Sequence, residues 1–177
     1  MTDYVQGNSQ EMLEVLAKMI ATNTENPPGD EYLCAEVVTK FLDRYDIPYE
    51  IHEREEGRSN VIATLGKGSR TLLMSAHMDV VPAGDGWDTP PYEMVVKEGR
   101  LYGRGTSDDK GPLAGLLTVL KYFKENPDEL HCKLVVVAAA DEETGSANGL
   151  RYLIEQDLIS ADFVAIGDID GDCLEID

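Results

Sequence analysis

Four short motifs in this chain carry the residue types that bind divalent cations. In chain order they are His77-Met78-Asp79, the loop 103–111 with Asp108, Asp141-Glu142-Glu143, and Gly167-Asp168. Imidazole nitrogens and carboxylate oxygens are ligands for zinc and similar ions, and a carboxylate beside a metal can act as a general base. The residue types therefore predict a metal site, provided that the fold brings the four motifs together.

The first motif combines a ligand with a group that can orient it. Alternation along a β-strand puts His77 and Asp79 on the same face, so Asp79 can accept a hydrogen bond from one imidazole nitrogen while the other binds metal. Taken alone, such a pair is more typical of a structural histidine at the end of a strand.

The second motif is a glycine-containing loop, 103–111, that precedes an apolar helix. It resembles the G-x-G-x-x-G loop of dinucleotide-binding proteins, but Asp108 occupies the place of the last glycine. A carboxylate there would repel a pyrophosphate, which argues against a nucleotide site. At the start of a helix, by contrast, the carboxylate of Asp108 stays ionised and can bridge two cations.

The third and fourth motifs each follow an apolar run. Glu142 and Glu143 leave a strand together, which is costly unless a cation compensates their charge, and one can bind metal while the other activates water. An acidic helix start is the structural alternative. Asp168 begins a stretch that looks like a calcium loop, but its glycine, Gly171, is fourth and not sixth, so calcium is a poor fit.

Hydrophobic periodicity predicts an α/β fold that places all four motifs at the ends of strands. Helices are predicted at 10–21, 33–42, 112–123 and 148–156, and strands at 49–52, 60–64, 71–75, 92–96, 101–102, 133–140 and Phe163–Ile166. The last two long apolar runs are expected to be buried strands of a largely parallel sheet. Ligands of such sheets bind at the carboxyl ends of the strands.

Composition excludes several classes of partner. With 34 acidic and 15 basic residues the net charge is -19, which argues against binding to nucleic acid or to an anionic membrane surface. The chain has neither an apolar run of membrane-spanning length nor a signal peptide, and we expect a cytoplasmic protein. Cys34, Cys132 and Cys173 are odd in number and far apart, so we expect core residues and no disulfide.

The order of the motifs resembles a known family. His77-x-Asp79, Gly-Arg-Gly-Thr-Ser-Asp-Asp-Lys-Gly, Asp-Glu-Glu-Thr-Gly and Gly-Asp, together with the segment 86–92 (Gly-Trp-Asp-Thr-Pro-Pro-Tyr), resemble the co-catalytic zinc aminoacylases and carboxypeptidases. That family includes glutamate carboxypeptidase, acetylornithine deacetylase, succinyl-diaminopimelate desuccinylase and carnosine-type dipeptidases. The resemblance covers nearly the whole chain and implies a three-layer sandwich of the zinc-exopeptidase type.

The resemblance also implies a role for each residue. Asp108 would bridge two Zn²⁺ ions, His77 and Asp168 would complete one site, and Glu143 would bind the other ion. Glu142 would be the general base, and Asp79 would orient His77. The peptide bond between Asp108 and its successor is often cis in this family. Co²⁺ or Mn²⁺ could replace zinc, since carboxylate-rich sites accept several divalent ions.

Two features of the family are missing from the 177 residues. These are a smaller domain used as a lid or for dimerisation, and a late histidine that completes the second zinc site. Neither His52 nor His131 matches that histidine, and both are expected at the surface. We therefore expect residues 1–177 to be the N-terminal part of a catalytic domain, inactive alone, from a protein that can form a homodimer when complete.

Several functions remain open within this interpretation. The implied reaction is hydrolysis of an amide bond in a dipeptide, a C-terminal peptide or an N-acyl amino acid. The segments Thr-Ser-Asp-Asp-Lys-Gly-Pro and Gly-Trp-Asp-Thr-Pro-Pro favour the dipeptidase branch over the deacylase branch. A non-catalytic metal-binding relative is a further alternative, although Glu142 beside Glu143 argues against it, because a scaffold has no need of a base.

Overall fold

The computed structural model describes residues 2–168. The helices in this range are α1 (Thr2–Gly7), α2 (Ser9–Ile20), α3 (Tyr32–Arg44), α4 (Lys110–Glu125) and α5 (Leu150–Glu155), with a 3-10 turn at Pro127–Glu129. The strands are β1 (Tyr49–Glu53), β2 (Ser59–Leu65), β3 (Thr71–His77), β4 (Val95–Lys97), β5 (Arg100–Tyr102), β6 (Lys133–Ala139) and β7 (Phe163–Ile166). The glycine of the calcium-like stretch and Cys173 lie outside the described residues.

The main sheet has the strand order β1-β2-β6-β3-β7. Strand β2 is antiparallel to both of its neighbours, whereas β3 is parallel to both β6 and β7. Of the five strands, only β2 therefore runs against the others. The predicted α/β fold with a largely parallel sheet is confirmed.

Strand β6 shows why the sheet is covered on both faces. Its residues alternate between two hydrophobic clusters, with Leu134, Val136 and Ala138 on the side of α2, α3 and α4. Val135, Val137 and Ala139 face the other side, where Leu153 of α5 packs. A strand with two apolar faces needs a helical layer on each, and the result is the three-layer sandwich that the resemblance implied.

A buried lysine joins α4 to the end of α2. The side chain of Lys110 is fully buried, and its Nζ donates hydrogen bonds to the carbonyl oxygens of Met19 and Thr22, each at 3.0 Å. Carbonyls at the C-terminal end of a helix lack partners within the helix and attract positive charge. This contact fixes the start of α4, the segment that follows Asp108.

Two sequence predictions of local structure need correction. The hairpin is shorter than predicted, because its first strand begins at Val95 and Tyr92 lies before it. Strand β7 was predicted to be buried, but Phe163, Val164 and Ile166 are 54–60% exposed. Within residues 2–168 β7 pairs only with β3, and an apolar run does not distinguish an edge strand from a central one.

No helix in the described part of the chain combines the length and the apolar character that a membrane crossing requires.

The two-sided core predicts a large cost for truncating α4. Leu117 is 1% exposed, so Leu117→Ala should lower the free energy of unfolding by about 2–5 kcal/mol through lost contacts and a residual cavity. Ile154 on α5 is 61% exposed, and Ile154→Ala should change the free energy of unfolding by less than about 0.5 kcal/mol. Urea denaturation of both variants checks this, and equal effects would contradict the described packing.

A pH dependence follows from a cluster between α2 and α4. The carboxylate of Glu11 accepts hydrogen bonds from Lys121 (2.7 Å), Arg44 (3.1 Å) and Tyr45. Burial would raise the pKa of Glu11, but these partners outweigh burial and lower it. The resulting stabilisation is complete above the pKa of an unfolded glutamate and is lost as the pH falls through the lower folded pKa.

Glu11→Gln should therefore reduce the free energy of unfolding by about 1 kcal/mol at pH 7, with the difference shrinking below about pH 4. The control is Glu36→Gln, which changes the charge equally but removes only an exposed ion pair with Lys40. Denaturation curves between pH 7 and acid measure both, and a loss at Glu11 that does not vary with pH would refute the electrostatic explanation.

Candidate metal centre

The four motifs converge at one edge of the main sheet. Strands β3 and β6 are adjacent and parallel, with His77 opposite Ala139, so the segments that leave them emerge side by side. Strand β7 lies on the other side of β3, and the backbone N–H of Gly167 donates to Ser75 at 2.7 Å. The carboxyl ends of the parallel strands thus bring the motifs together.

His77 lies at the centre of the site. It is 3% exposed, and its Nδ1 lies 2.8 Å from the backbone oxygen of Asp79 and 3.4 Å from the carboxylate of that residue. Its Nε2 lies 2.8 Å from Asp108 and 3.8 Å from Glu142. Because a carbonyl oxygen only accepts hydrogen bonds, Nδ1 carries a proton and Nε2 is left facing the carboxylates.

Two groups of potential ligand atoms surround His77 in the part of the chain that the structure describes. His77, Asp108 and Glu143 form one, and His77, Glu142 and Asp168 form the other, with all ligand atoms of a group within 4.8 Å of one another. All four predicted metal ligands and the predicted base are therefore close together. The two adjacent glutamates belong to different groups, consistent with side chains that point in different directions.

Several negatively charged carboxylates crowd around His77. Burial disfavours the charged imidazole, but attraction by Asp79, Asp109 and Asp108 outweighs it and raises the pKa of His77 to about 10. Without metal the ring therefore holds a proton that Nε2 would lose on binding a cation.

Three neighbouring carboxyl groups also have raised pKa values. Burial raises the pKa of both Glu142 and Glu143, and the charge of Asp168 adds to this for Glu142 and that of Asp108 for Glu143. Burial also raises the pKa of Asp109, to about 7, while its Oδ2 accepts the backbone N–H of His77 at 2.9 Å. A set of one imidazole and several carboxylates fits Zn²⁺ or a similar divalent cation, which would relieve this repulsion.

The carboxylate of Asp79 holds the glutamate pair. It is fully buried, and its two oxygens accept the backbone N–H groups of Glu142 and Glu143, each at 3.1 Å. The side-chain amide of Asn26 donates to the same carboxylate at 2.8 Å. Sequence reasoning predicted contact between Asp79 and the imidazole, but not this link to the glutamates.

Three residues near the site were missed by sequence reasoning as functional candidates. They are Asn26, Glu31 and Arg58, none of which belongs to the four motifs. The Arg58 guanidinium forms two hydrogen bonds to Glu31, at 2.7 and 2.8 Å, and one to Asp141 at 2.8 Å. Their hydrogen-bond partners are 27 to 118 residues away in sequence, and no local pattern signals such contacts.

Asp141 connects these residues to the end of β6. Burial alone would raise its pKa, but hydrogen bonds from Thr144, Asn148 and Asn26 and the charge of Arg58 lower it to about 2. It remains ionised at neutral pH and is a fixed acceptor directly before the two glutamates.

The histidines that sequence reasoning set aside do lie elsewhere. His52 is on β1, where its Nε2 lies 3.0 Å from Glu50, and β2 and β6 separate β1 from β3. His131 is exposed and precedes β6, at the opposite end of the strand from the site. The peptide bond between Asp108 and Asp109 is cis, as the resemblance implied.

Comparison with known proteins gives relatives that match most of this chain in sequence. A probable succinyl-diaminopimelate desuccinylase of Staphylococcus aureus is 36% identical over 166 residues, covering 93% of this chain and 39% of the relative. An acetylornithine deacetylase of Proteus mirabilis is 36% identical over 151 residues, covering 84% of this chain and 38% of the relative. The chain thus spans well under half the length of the curated relatives it matches.

Solved structures show the same fold. Human carnosine dipeptidase 1 matches with a TM-score of 0.80 and 24% identity, over 94% of this chain and 40% of that protein. A dipeptidase from Saccharomyces cerevisiae matches with a TM-score of 0.76 and 26% identity, over 93% of this chain and 39% of that protein.

The family model described as peptidase family M20/M25/M40 matches residues 73–175, a range that begins in β3 and includes all four motifs. Together with the convergence of these motifs at one edge of the sheet, this match shows that the chain belongs to the M20/M25/M40 peptidase family.

Proposed function

We propose that this chain carries the metal-binding part of a hydrolase that cleaves an amide bond with the help of two divalent metal ions. The observation that supports the proposal is the grouping of two sets of ligand atoms around His77 at the carboxyl edge of the sheet. The half-exposed side chains of Asp108 (52%) and Glu142 (44%) leave this grouping open to a substrate. A purely structural ion would have no need of that access.

The ligands in this proposal are His77, Asp108, Glu143 and Asp168, with Asp108 bridging. Bound metal ions would supply Lewis-acid activation of water and of the amide carbonyl. Glu142 would accept the proton of the attacking water at its carboxylate and donate it to the leaving nitrogen. We favour zinc, with Co²⁺ or Mn²⁺ as alternatives.

Two classes of substrate are supported by different observations. The segments 86–91 and 106–112 favour a dipeptidase, and a Saccharomyces cerevisiae neighbour of that name shares the fold. The relatives at 36% identity are named as a desuccinylase and a deacetylase, which favours an N-acyl amino acid. Both classes present an amide beside a carboxylate. A panel of dipeptides and N-acyl amino acids, tested on a protein of the relatives' length, would separate them.

Other features stay predictions. They are the cytoplasmic location, the homodimer, and the lack of nucleic-acid and membrane partners. The assignment of residues 1–177 to the first part of a larger catalytic domain is likewise our proposal, supported by the 39% coverage of the desuccinylase relative.

The metal site can be tested on the chain itself. Because His77 is a proposed ligand of one of the two ions, His77→Ala should weaken binding of at least one divalent ion by at least about tenfold. His52→Ala is the matched control, since that side chain lies on β1. Isothermal titration with Zn²⁺ measures both variants, and unchanged stoichiometry and affinity in His77→Ala would refute the proposed centre.

The distinction between base and ligand can be tested in a protein of the relatives' length that contains these residues. Glu142→Gln should lower kcat by about 10²–10⁴-fold while metal content stays the same, because proton transfer is lost and the ligands remain. Glu143→Gln, its neighbour and control, should lower metal content as well. Loss of one metal ion in Glu142→Gln would instead make Glu142 a ligand.

A further inference from the structure

We propose that Asn26 is a positioning residue that sets the placement of Glu142 and Glu143 through the carboxylate of Asp79. The inference rests on the metal centre proposed above and adds to it a residue from outside the four motifs. Its basis is a buried chain of hydrogen bonds that runs from Arg58 through Asp141 and Asn26 to Asp79.

The amide of Asn26 is a donor placed between two carboxylates. Its Nδ2 lies 2.8 Å from Asp79, 3.1 Å from Asp141 and 3.1 Å from the hydroxyl of Thr144. The residue is only 4% exposed, and its backbone N–H donates to Val80 at 2.9 Å, which fixes the loop that presents the side chain. Without this donor, the two buried carboxylates would face each other with no hydrogen-bond donor between them.

Displacing Asp79 would move the two glutamates. Its oxygens accept the backbone N–H groups of Glu142 and Glu143, so the carboxylate acts as the anchor of that peptide segment. Ligand and base positions are sensitive to shifts well below 1 Å, because reacting and coordinating groups require defined geometry. Loss of the Asn26 amide is therefore expected to alter metal binding through its contact with Asp79.

The other side of the network holds Asp141 in place. Arg58 binds Asp141 and Glu31 together, and Glu31 in turn accepts the backbone N–H of Asp141 at 3.0 Å. Asp141 has a φ of 61°, in the left-handed region that non-glycine residues rarely adopt, and its carboxylate accepts the N–H of Asn148 at 2.8 Å. The turn after β6 is thus fixed from several directions, and Asn26 joins it to Asp79.

A hydrogen-bond network of this kind could stabilise the fold without positioning the two glutamates, so the experiment compares metal binding with stability. The probe is cobalt chloride titrated into the 177-residue chain, because the visible absorption of Co²⁺ reports the number and arrangement of its ligands. Asn26→Asp keeps the shape and turns the donor into an acceptor, and Asn26→Ala removes the donor without adding charge. Leu117→Ala is the control for lost stability, since that side chain packs in the core.

We expect Asn26→Asp to weaken Co²⁺ binding by about tenfold or more and to change the visible spectrum at saturation. Asn26→Ala should also weaken Co²⁺ binding and change the spectrum. If circular dichroism of the metal-free protein shows that Asn26→Asp does not fold, the result for Asn26→Ala alone tests the inference. Leu117→Ala should lower the thermal unfolding temperature but keep the wild-type spectrum and affinity.

Three other outcomes would contradict the inference. Wild-type affinity and spectrum in both Asn26 variants would overturn the inference and leave the metal centre intact. The same change in Leu117→Ala would also overturn it, because stability would then explain the effect. A wild-type chain that binds no cobalt would overturn the proposed metal centre itself, and the inference with it.

Discussion

Repulsion among carboxylates crowded around one imidazole is the constraint on which the site depends. Asp108, Glu142, Glu143 and Asp168 supply ligand atoms within a few ångströms of His77, and like charges at that distance disfavour one another strongly when water is partly excluded. The pKa shifts agree with this: neighbouring carboxylates raise the pKa of His77 to about 10 despite its burial, and burial together with nearby carboxylates raises the pKa of both glutamates. The protein side chains alone do not balance the charge, and a divalent cation would.

Such a site requires a scaffold whose stability comes from elsewhere. The two hydrophobic clusters on either side of β6 provide it, because they bury the sheet on both faces and set the positions of the strand ends. The site residues lie just beyond those ends, where the chain leaves the core. Destabilising charge and stabilising apolar contacts are thereby placed in adjacent but separate parts of the structure.

Two cationic side chains, the buried Lys110 and the partly buried Arg58, connect these parts. Lys110 holds the start of α4 to the last carbonyls of α2, and Arg58 holds the turn after β6 through Glu31 and Asp141. Each fixes a segment next to a site residue, Asp108 in the first case and Glu142 in the second. In a chain with a net charge of -19, these fixed positive groups matter more for geometry than the overall charge does.

The sequence by itself determined the helices α2 to α4, the strands β2, β3 and β6, and the residue types of the site. Apolar periodicity and the residues that end each element are local properties, and metal-binding side chains are recognisable by type and order. Only the tertiary structure decided that β7 is an exposed edge, that Asp79 anchors the glutamates, and that Asn26 and Arg58 support it. The exposure of β7 depends on which strands lie beside it, and the other contacts join residues 27 to 118 positions apart, so a linear pattern carries no signal for them.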